Sequence, residues 1–258
     1  MSSTENNDSE YVHHTENAFR KLFECAKSKN EVQFALALAP EFRGEQGPGW
    51  CTWEETNRAF KEYLDFINQK FNSIIKIRVS LAFYCHLSEA SGFYEMPKNM
   101  MRIAGGEDYR MWPFLELNRT HGETGKKIAP NSNKIFRDLI GHAESLDLKE
   151  LVEVFSDAFD PEIRNAYAHA DYIIWKDGFR MPNQGCGHPK IIRWNEFNLK
   201  ISRALNFYQI IRKLAEEYIM SYKTPKEVIA SMGGGQPEFK WKIETDENGG
   251  IMISSNGF

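Results

Sequence analysis

Apolar residues recur every three or four positions along nearly every long segment of this chain, and this spacing most constrains its fold. The longest such pattern runs over residues 52–89, and another runs over residues 195–222. Recurrence at i, i+3, i+4 and i+7 places apolar side chains on one face of an α-helix. Alternation with a period of two is confined to residues 172–181 and 239–253, with one further short strand expected at 190–193. The sequence therefore predicts a mainly α bundle with two small β-hairpins.

The predicted helices form one domain, residues 13–230. They are expected near residues 11–39 (as one or two helices), 52–90, 97–104, 131–143, 147–159, 161–170 and 196–222. A straight helix over 52–90 would be about 55 Å long, so a break is expected near residues 68–72. Residues 1–12 are interpreted as a flexible tail. Residues 237–258 are interpreted as a C-terminal β-hairpin appendage that follows a glycine hinge at 233–235.

Helix starts are predicted from residues that accept hydrogen bonds from free backbone N–H groups. Thr52 and Asp147 each open a capping-box-like sequence. Asn131, Asp160 and Asn195 are each predicted as an N-cap residue. Gly92 is expected to end the longest helical pattern.

Composition excludes several classes of protein. The 258 residues have a net charge of −4 and are 41% hydrophobic, which provides ample core and argues against a broad polyanion-binding surface. The four cysteines lie far apart without a C-x2-C pair, which favours a reducing compartment. The N-terminus is not a signal peptide, and no apolar run approaches the roughly 20 residues that span a bilayer. A cytoplasmic protein without membrane contact is expected.

Residues 160–175 hold the best candidate site. Asp160 and Pro161 form a strong helix start, and the predicted buried face carries Ile163, Tyr167 and Ala170.

Arg164, Asn165 and His169 lie off that face, and polar groups in a short, covered helix need partners or a function. Five helical steps rotate about 500°, so Arg164 and His169 project about 140° apart. Either the helix ends or distorts at His169, or a second copy of the motif completes the site. Asn165 and His169 share a face, so the amide is a candidate to orient the imidazole.

The run Arg164-Asn165-Ala166-Tyr167-Ala168-His169 resembles the R-x4-6-H signature of the HEPN superfamily, over roughly residues 50–222. The resemblance implies a helical bundle, commonly dimeric, and a metal-independent endoribonuclease of toxin or anti-phage defence type. It assigns acid–base catalysis on the ribose 2′-OH to His169, phosphate stabilisation to Arg164 and orientation to Asn165. The expected products end in a 2′,3′-cyclic phosphate. No cofactor is implied, and the implied partners are RNA, a second copy of the chain and an antitoxin or defence-system protein.

Other interpretations stay open. The alternative is a non-catalytic HEPN-like dimerisation module that binds RNA, a nucleotide or a protein partner. In that case Arg164 pairs with a carboxylate such as Glu89 or Asp171, and His169 caps the helix. A HEPN subgroup paired with nucleotidyltransferase antitoxins carries H-x-Y, whereas here Tyr172 follows His169 one residue too late. That spacing disfavours such a partner and favours Tyr172 as a strand residue.

Three further segments are weaker candidates. Lys126, Lys127, Lys134 and Arg137 form a modest basic stretch that is the best local candidate for RNA phosphate contact. Cys186 and His188 supply two potential zinc ligands where structural zinc needs four, so no metal site is predicted. The stretch 107–130 is interpreted as a long loop, either functional or disordered, and the glycines at 44–49 as a plain loop.

Overall fold

The chain folds as a mainly helical bundle with small antiparallel sheets. The computed structural model describes residues 3–39, 51–70, 72–183, 187–247 and 249–255, and side chains from Asp8 onward within these ranges. The helices are α1 (Ser3–Lys29), α2 (Glu31–Leu38), α3 (Thr52–Ile67), α4 (Ser73–Ser88), α5 (Ser91–Ala104), α6 (Ser132–Ser145), α7 (Lys149–Ala158), α8 (Pro161–Ala168) and α9 (Trp194–Met220). The strands are β1 (Arg119–Thr120), β2 (Lys127–Ile128), β3 (Ile173–Trp175), β4 (Gly178–Met181), β5 (Lys190–Arg193), β6 (Lys226–Ala230), β7 (Phe239–Thr245) and β8 (Ile251–Ser255). The mainly α prediction is confirmed.

The break in the longest helical pattern is also confirmed. α3 ends at Ile67 and α4 begins at Ser73, where the Asn72 side chain accepts a hydrogen bond from the Ile74 N–H at 2.8 Å. Gly92, however, lies inside the first turn of α5 rather than at a helix end. α5 begins six residues before Pro97 because Phe93, Tyr94 and Met96 bury their side chains in the core.

Two of the five predicted N-caps are present. The Asn131 side chain accepts from the Lys134 N–H, and the Asp160 carboxylate accepts from the N–H groups of Glu162 and Ile163.

The other three N-cap predictions are wrong. Cys51 precedes α3, Leu148 precedes α7 and Arg193 precedes α9, each without a side-chain hydrogen bond to the helix end. β5 runs directly into α9, so the helix begins at Trp194, before Asn195.

The predicted N-terminal tail is helical from Ser3 onward. Tyr11 is buried, and the Asp8 carboxylate accepts hydrogen bonds from Ser202 at 2.6 Å and Asn206 at 3.3 Å on α9. The partners of this segment lie almost 200 residues away in sequence, so its own polar composition does not reveal its structure.

The C-terminal hairpin exists as β7–β8, but β6 pairs with β7 to make a three-stranded sheet that the sequence did not predict. Ala230, Ile243 and Ile251 of this sheet are buried in the main hydrophobic core. The sheet is therefore joined to the bundle rather than appended to it.

The glycine segment between β6 and β7 is anchored rather than free. Asp108 accepts hydrogen bonds from the Gly234 N–H at 2.8 Å and from the Gln33 side chain at 2.9 Å. These two bonds tie the segment to α2 through one carboxylate.

The stretch 107–130, which the sequence predicts as a long loop, contains a 3-10 helix at Leu115–Leu117 and the β1–β2 hairpin. The glycines at 44–49 lie outside the described residues.

Aromatic side chains fill the centre of the bundle. Phe19 of α1 contacts Phe155 of α7 and Phe207 of α9 edge-to-face, and Phe136 of α6 contacts Phe207. A smaller cluster lies between α4, α8, α9 and the β3–β4–β5 sheet, and it carries the candidate site. Its buried members are Leu81, Tyr84, Ile163, Ala166, Phe179, Met181, Ile192, Phe197, Ile201 and Ala204. None of the helices in the described ranges is both long and apolar enough to cross a membrane.

Candidate functional site

Helix α8 is fixed at its start by a buried tyrosine. The backbone N–H of Asp160 donates to the hydroxyl of Tyr84 on α4, and the Lys200 ammonium lies 3.0 Å from the Asp160 carboxylate. Burial raises the pKa of Tyr84 well above its usual range, so the hydroxyl keeps its proton. The first turn of α8 is therefore held by α4 and α9 together.

The buried face of α8 differs in part from the predicted one. Ile163 and Ala166 are buried, Tyr167 is half-buried, and Ala170 is exposed. α8 ends at Ala168, and Ala170 adopts a left-handed conformation with φ of 54° that turns the chain toward β3. The helix is thus too short for Ala170 to reach the core.

The guanidinium of Arg164 is already bound within the chain. It donates one hydrogen bond to Glu89 at the end of α4 and another to the Asn165 side-chain oxygen at 2.8 Å. Glu89 also accepts from the Ser132 hydroxyl at 2.9 Å. This arrangement matches the alternative in which Arg164 pairs with Glu89. The Arg164 side chain is only 19% exposed, so displacing Glu89 would leave a largely covered charge in need of a new partner.

His169 occupies the C-cap of α8 and is exposed. Its backbone N–H donates to the Asn165 carbonyl at 3.0 Å. Its imidazole makes no hydrogen bond or ion pair with the residues that the structure describes. The Asn165 amide oxygen accepts from Arg164 in this structure, so orientation of the imidazole by this amide stays a prediction.

Arg164 and Arg137 line one cavity of about 230 Å³. Ser132, Asn133 and Ser156 contribute hydroxyl and amide groups to the same cavity, and Asp160 contributes a carboxylate. Arg137 is exposed, so its guanidinium is accessible to a solute. The structure thus brings together one residue of the motif and one residue of the predicted basic stretch.

The three lysines of that stretch do not line this cavity. Lys134 donates to the Leu117 carbonyl at 2.6 Å, and Lys127 donates to the Thr120 hydroxyl at 2.9 Å. Lys126 is exposed beside β2. Two of the lysines therefore brace the segment around the β1–β2 hairpin.

The β3–β4–β5 sheet places an exposed apolar edge close to His169 in the chain. β3 is an edge strand, and Ile173 and Trp175 on it are 59% and 53% exposed. Tyr172, just before β3, stacks between Tyr167 and Phe179 with ring centroids 5.9 and 5.2 Å away. Sequence reasoning identified the hairpin but not this exposed edge, although two large apolar residues two positions apart were its signal.

Among the described residues, neither a reactive thiol nor a cluster of metal ligands lies near the motif. The Cys85 thiol lies 3.9 Å from the Arg164 carbonyl, and burial raises its pKa to about 11, so it stays protonated at neutral pH. Within the described ranges, no three His, Cys, Asp or Glu side chains cluster as metal ligands. Cys186 lies outside those ranges, and His188 is exposed.

Comparison of this chain with family models, with curated proteins and with solved structures gives no match.

Proposed function

We propose that this chain is a metal-independent endoribonuclease of toxin or anti-phage defence type that works as a homodimer. The observation that carries the proposal is the placement of His169, an exposed and unbonded imidazole held at a helix end five residues after an arginine. An exposed imidazole can exchange protons with a substrate near neutral pH. Arg137 and His142 have the same spacing, but the His142 side chain is only 10% exposed, whereas His169 is accessible to a substrate.

In the proposed reaction, His169 removes the proton of a ribose 2′-OH. The 2′ oxygen forms a bond to the adjacent phosphorus, and the bond from phosphorus to the 5′ oxygen breaks. The leaving 5′ oxygen takes up a proton, and the other product ends in a 2′,3′-cyclic phosphate. Arg164 stabilises the added negative charge of the phosphorane, which a planar guanidinium does through two donors.

Arg164 can reach a phosphate only if the phosphate competes with Glu89 for the guanidinium. The cavity that Arg164 shares with Arg137 supports this step, because a phosphate there meets two guanidinium groups. The charge-assisted hydrogen bonds that Arg164 makes to a dianionic transition state are stronger than those it makes to one carboxylate. The phosphate is therefore most able to displace Glu89 late in the reaction.

A second copy of the chain would complete the site. The exposed edge formed by Ile173 and Trp175 is an apolar surface of the kind that another chain covers. A two-fold contact along β3 would bring the two His169 side chains toward the axis, since β3 begins four residues after His169.

The Arg164–Glu89 pair favours a second candidate function, a non-catalytic module that binds RNA, a nucleotide or a protein partner. A guanidinium held by Glu89 and Asn165 is well suited to a structural role. In that case the cavity shared with Arg137 would bind a phosphate group without chemistry at His169.

Incubation of the purified chain with labelled single-stranded RNA in EDTA distinguishes the two functions. The nuclease proposal expects cleavage with cyclic-phosphate ends by mass spectrometry, lost in His169→Ala and kept in His13→Ala, which removes an exposed histidine from α1. RNA binding without cleavage would favour the second function. Cleavage that depends on added magnesium or manganese would place the activity at a different site.

A further inference from the structure

A larger cleft lies where the N-terminal ends of α3 and α5 meet the segment 112–118. We name it the α3–α5 cleft. It has a volume of about 790 Å³, and its described walls also include the end of α4 and the residues Ala129, Pro130 and Ile135. That size matches the clefts of about 300–1,000 Å³ that bind small molecules in proteins. Neither Arg164 nor His169 lines it.

Aromatic rings form much of the wall of the α3–α5 cleft. Trp53 stacks on Phe93 with ring centroids 5.1 Å apart and planes 10° apart, and both are buried. Phe114 is buried beside them, and Trp112 is 47% exposed. The face of an aromatic ring carries negative charge density, so such a wall attracts cations as well as apolar groups.

The ionised side chains of the described wall are all acidic. Glu55, Glu89 and Glu95 line the cleft, and no lysine or arginine is among the described lining residues. His86 also lines it, and burial lowers the pKa of His86, opposed by the charge of Glu55. The imidazole is therefore neutral at physiological pH and adds no positive charge.

Each of these three carboxylates already has an interaction within the chain. Arg58 lies 3.1 Å from Glu55, but both side chains are about two-thirds exposed, so the pair is weak and easily exchanged. Glu89 is held by Arg164. Glu95 is half-buried and also interacts within the chain. Glu55 is therefore the carboxylate best placed to accept a cation from solution.

We propose that the α3–α5 cleft binds an organic cation, a protonated amine or quaternary ammonium group carried on an apolar body. The ammonium group pairs with Glu55, and the apolar body contacts Trp112 and Phe114. This binding does not depend on RNA cleavage or on the Arg164–His169 motif. The positive ends of α3 and α5 also face the cleft, which makes an anion the competing ligand class.

Isothermal titration calorimetry with three probes of matched shape tests the proposal on the full chain. Phenethylammonium carries a positive charge, phenethyl alcohol is neutral and hydrocinnamate carries a negative charge. The cation is expected to bind about tenfold or more tighter than the alcohol at physiological ionic strength, since it gains both a carboxylate and a cation–π contact. Equal binding of the alcohol, tighter binding of hydrocinnamate or no binding of any probe would overturn the proposal.

Two pairs of variants locate the binding. Glu55→Gln is expected to weaken phenethylammonium binding about three- to tenfold. Glu54→Gln should not weaken it, because Glu54 shares the first turn of α3 but does not line the cleft.

Trp112→Ala is expected to weaken binding about three- to thirtyfold. Phe239→Ala, which removes a 44% exposed aromatic ring on β7 outside this cleft, should leave it unchanged. Losses in the two control variants that equal those in Glu55→Gln and Trp112→Ala would contradict this location.

Discussion

The guanidinium of Arg164 donates a hydrogen bond to the carboxylate of Glu89, 75 residues earlier in the chain. Glu89 ends α4 and lies between two openings: it lines the α3–α5 cleft and binds the arginine that lines the smaller cavity. Ser132 completes the link by donating to the same carboxylate oxygen. The charge that the motif presents to a ligand is therefore controlled by a residue from another helix.

Replacement of Glu89 by glutamine should release Arg164 toward the cavity shared with Arg137. Affinity for labelled single-stranded RNA should rise, and unfolding free energy should fall by about 1 kcal/mol or less, because the carboxylate is 42% exposed. Fluorescence anisotropy in a His169→Ala background measures the affinity without cleavage. Glu150→Gln, which removes a carboxylate paired with Lys21, controls for the change in net charge. Equal gains in both variants would show that Arg164 is not the group released.

Loss of the Tyr84 hydroxyl should destabilise the chain. In Tyr84→Phe the backbone N–H of Asp160, at the half-buried start of α8, loses its acceptor on a buried side chain, which costs about 1–2 kcal/mol. Urea denaturation followed by circular dichroism measures the change. Tyr167→Phe, on the half-buried side of the same helix, should cost less. An unfolding free energy for Tyr84→Phe equal to that of the wild type would show that this bond is not needed.

The glycine segment between β6 and β7 offers a matched pair of substitutions. Gly233 has φ of 96°, and a Cβ atom there would lie 2.6 Å from the Asp108 carboxylate. Gly235 has φ of 75° and open space around its Cβ position. Gly235→Ala should cost about 1 kcal/mol through the left-handed backbone alone, and Gly233→Ala should cost about 2–3 kcal/mol because Asp108 must move as well. Equal costs in thermal or urea unfolding would show that Asp108 does not lock the segment.

Protonation of His142 should lower stability at acidic pH. Burial chiefly, with the nearby charge of Lys98, lowers the pKa of His142, while Glu107 and Asp138 oppose this shift. Because the unfolded histidine takes up a proton near pH 6.5 and the folded one only at lower pH, the free energy of unfolding should fall as pH drops through that value. In His142→Gln the fall should be smaller. Urea unfolding near neutral pH and in mildly acidic buffer measures how far the free energy of unfolding falls in the wild type and in His142→Gln. An equal fall in both proteins would contradict the assignment.

Much of the fold follows from local patterns. The break between α3 and α4, the Asp160 cap of α8 and the β3–β4 hairpin each depend on residues within a few positions of one another. Such signals are readable in one sequence. Other features are decided by distant residues: Ser202 and Asn206 bond Asp8 in α1, and β5 sets the start of α9.

The candidate site was less predictable. The sequence shows the motif residues and their divergence along the helix, and it leaves Glu89 and Asp171 as two candidate partners for Arg164. The choice of Glu89 over Asp171 depends on how α4 packs on α8, which the sequence does not state. The α3–α5 cleft combines four separate stretches of chain, which only the fold brings together.

The nuclease proposal is best tested by the rate of RNA cleavage in EDTA, measured for the wild type, His169→Ala and Arg164→Lys. We expect metal-independent cleavage by the wild type and a loss of about two to four orders of magnitude in His169→Ala. Arg164→Lys should also be severely impaired, because lysine keeps the charge but loses the planar fork. Both variants should remain folded and dimeric by circular dichroism and light scattering. The proposal is wrong if the wild type binds RNA without cutting it, or if His169→Ala cuts RNA as fast as the wild type.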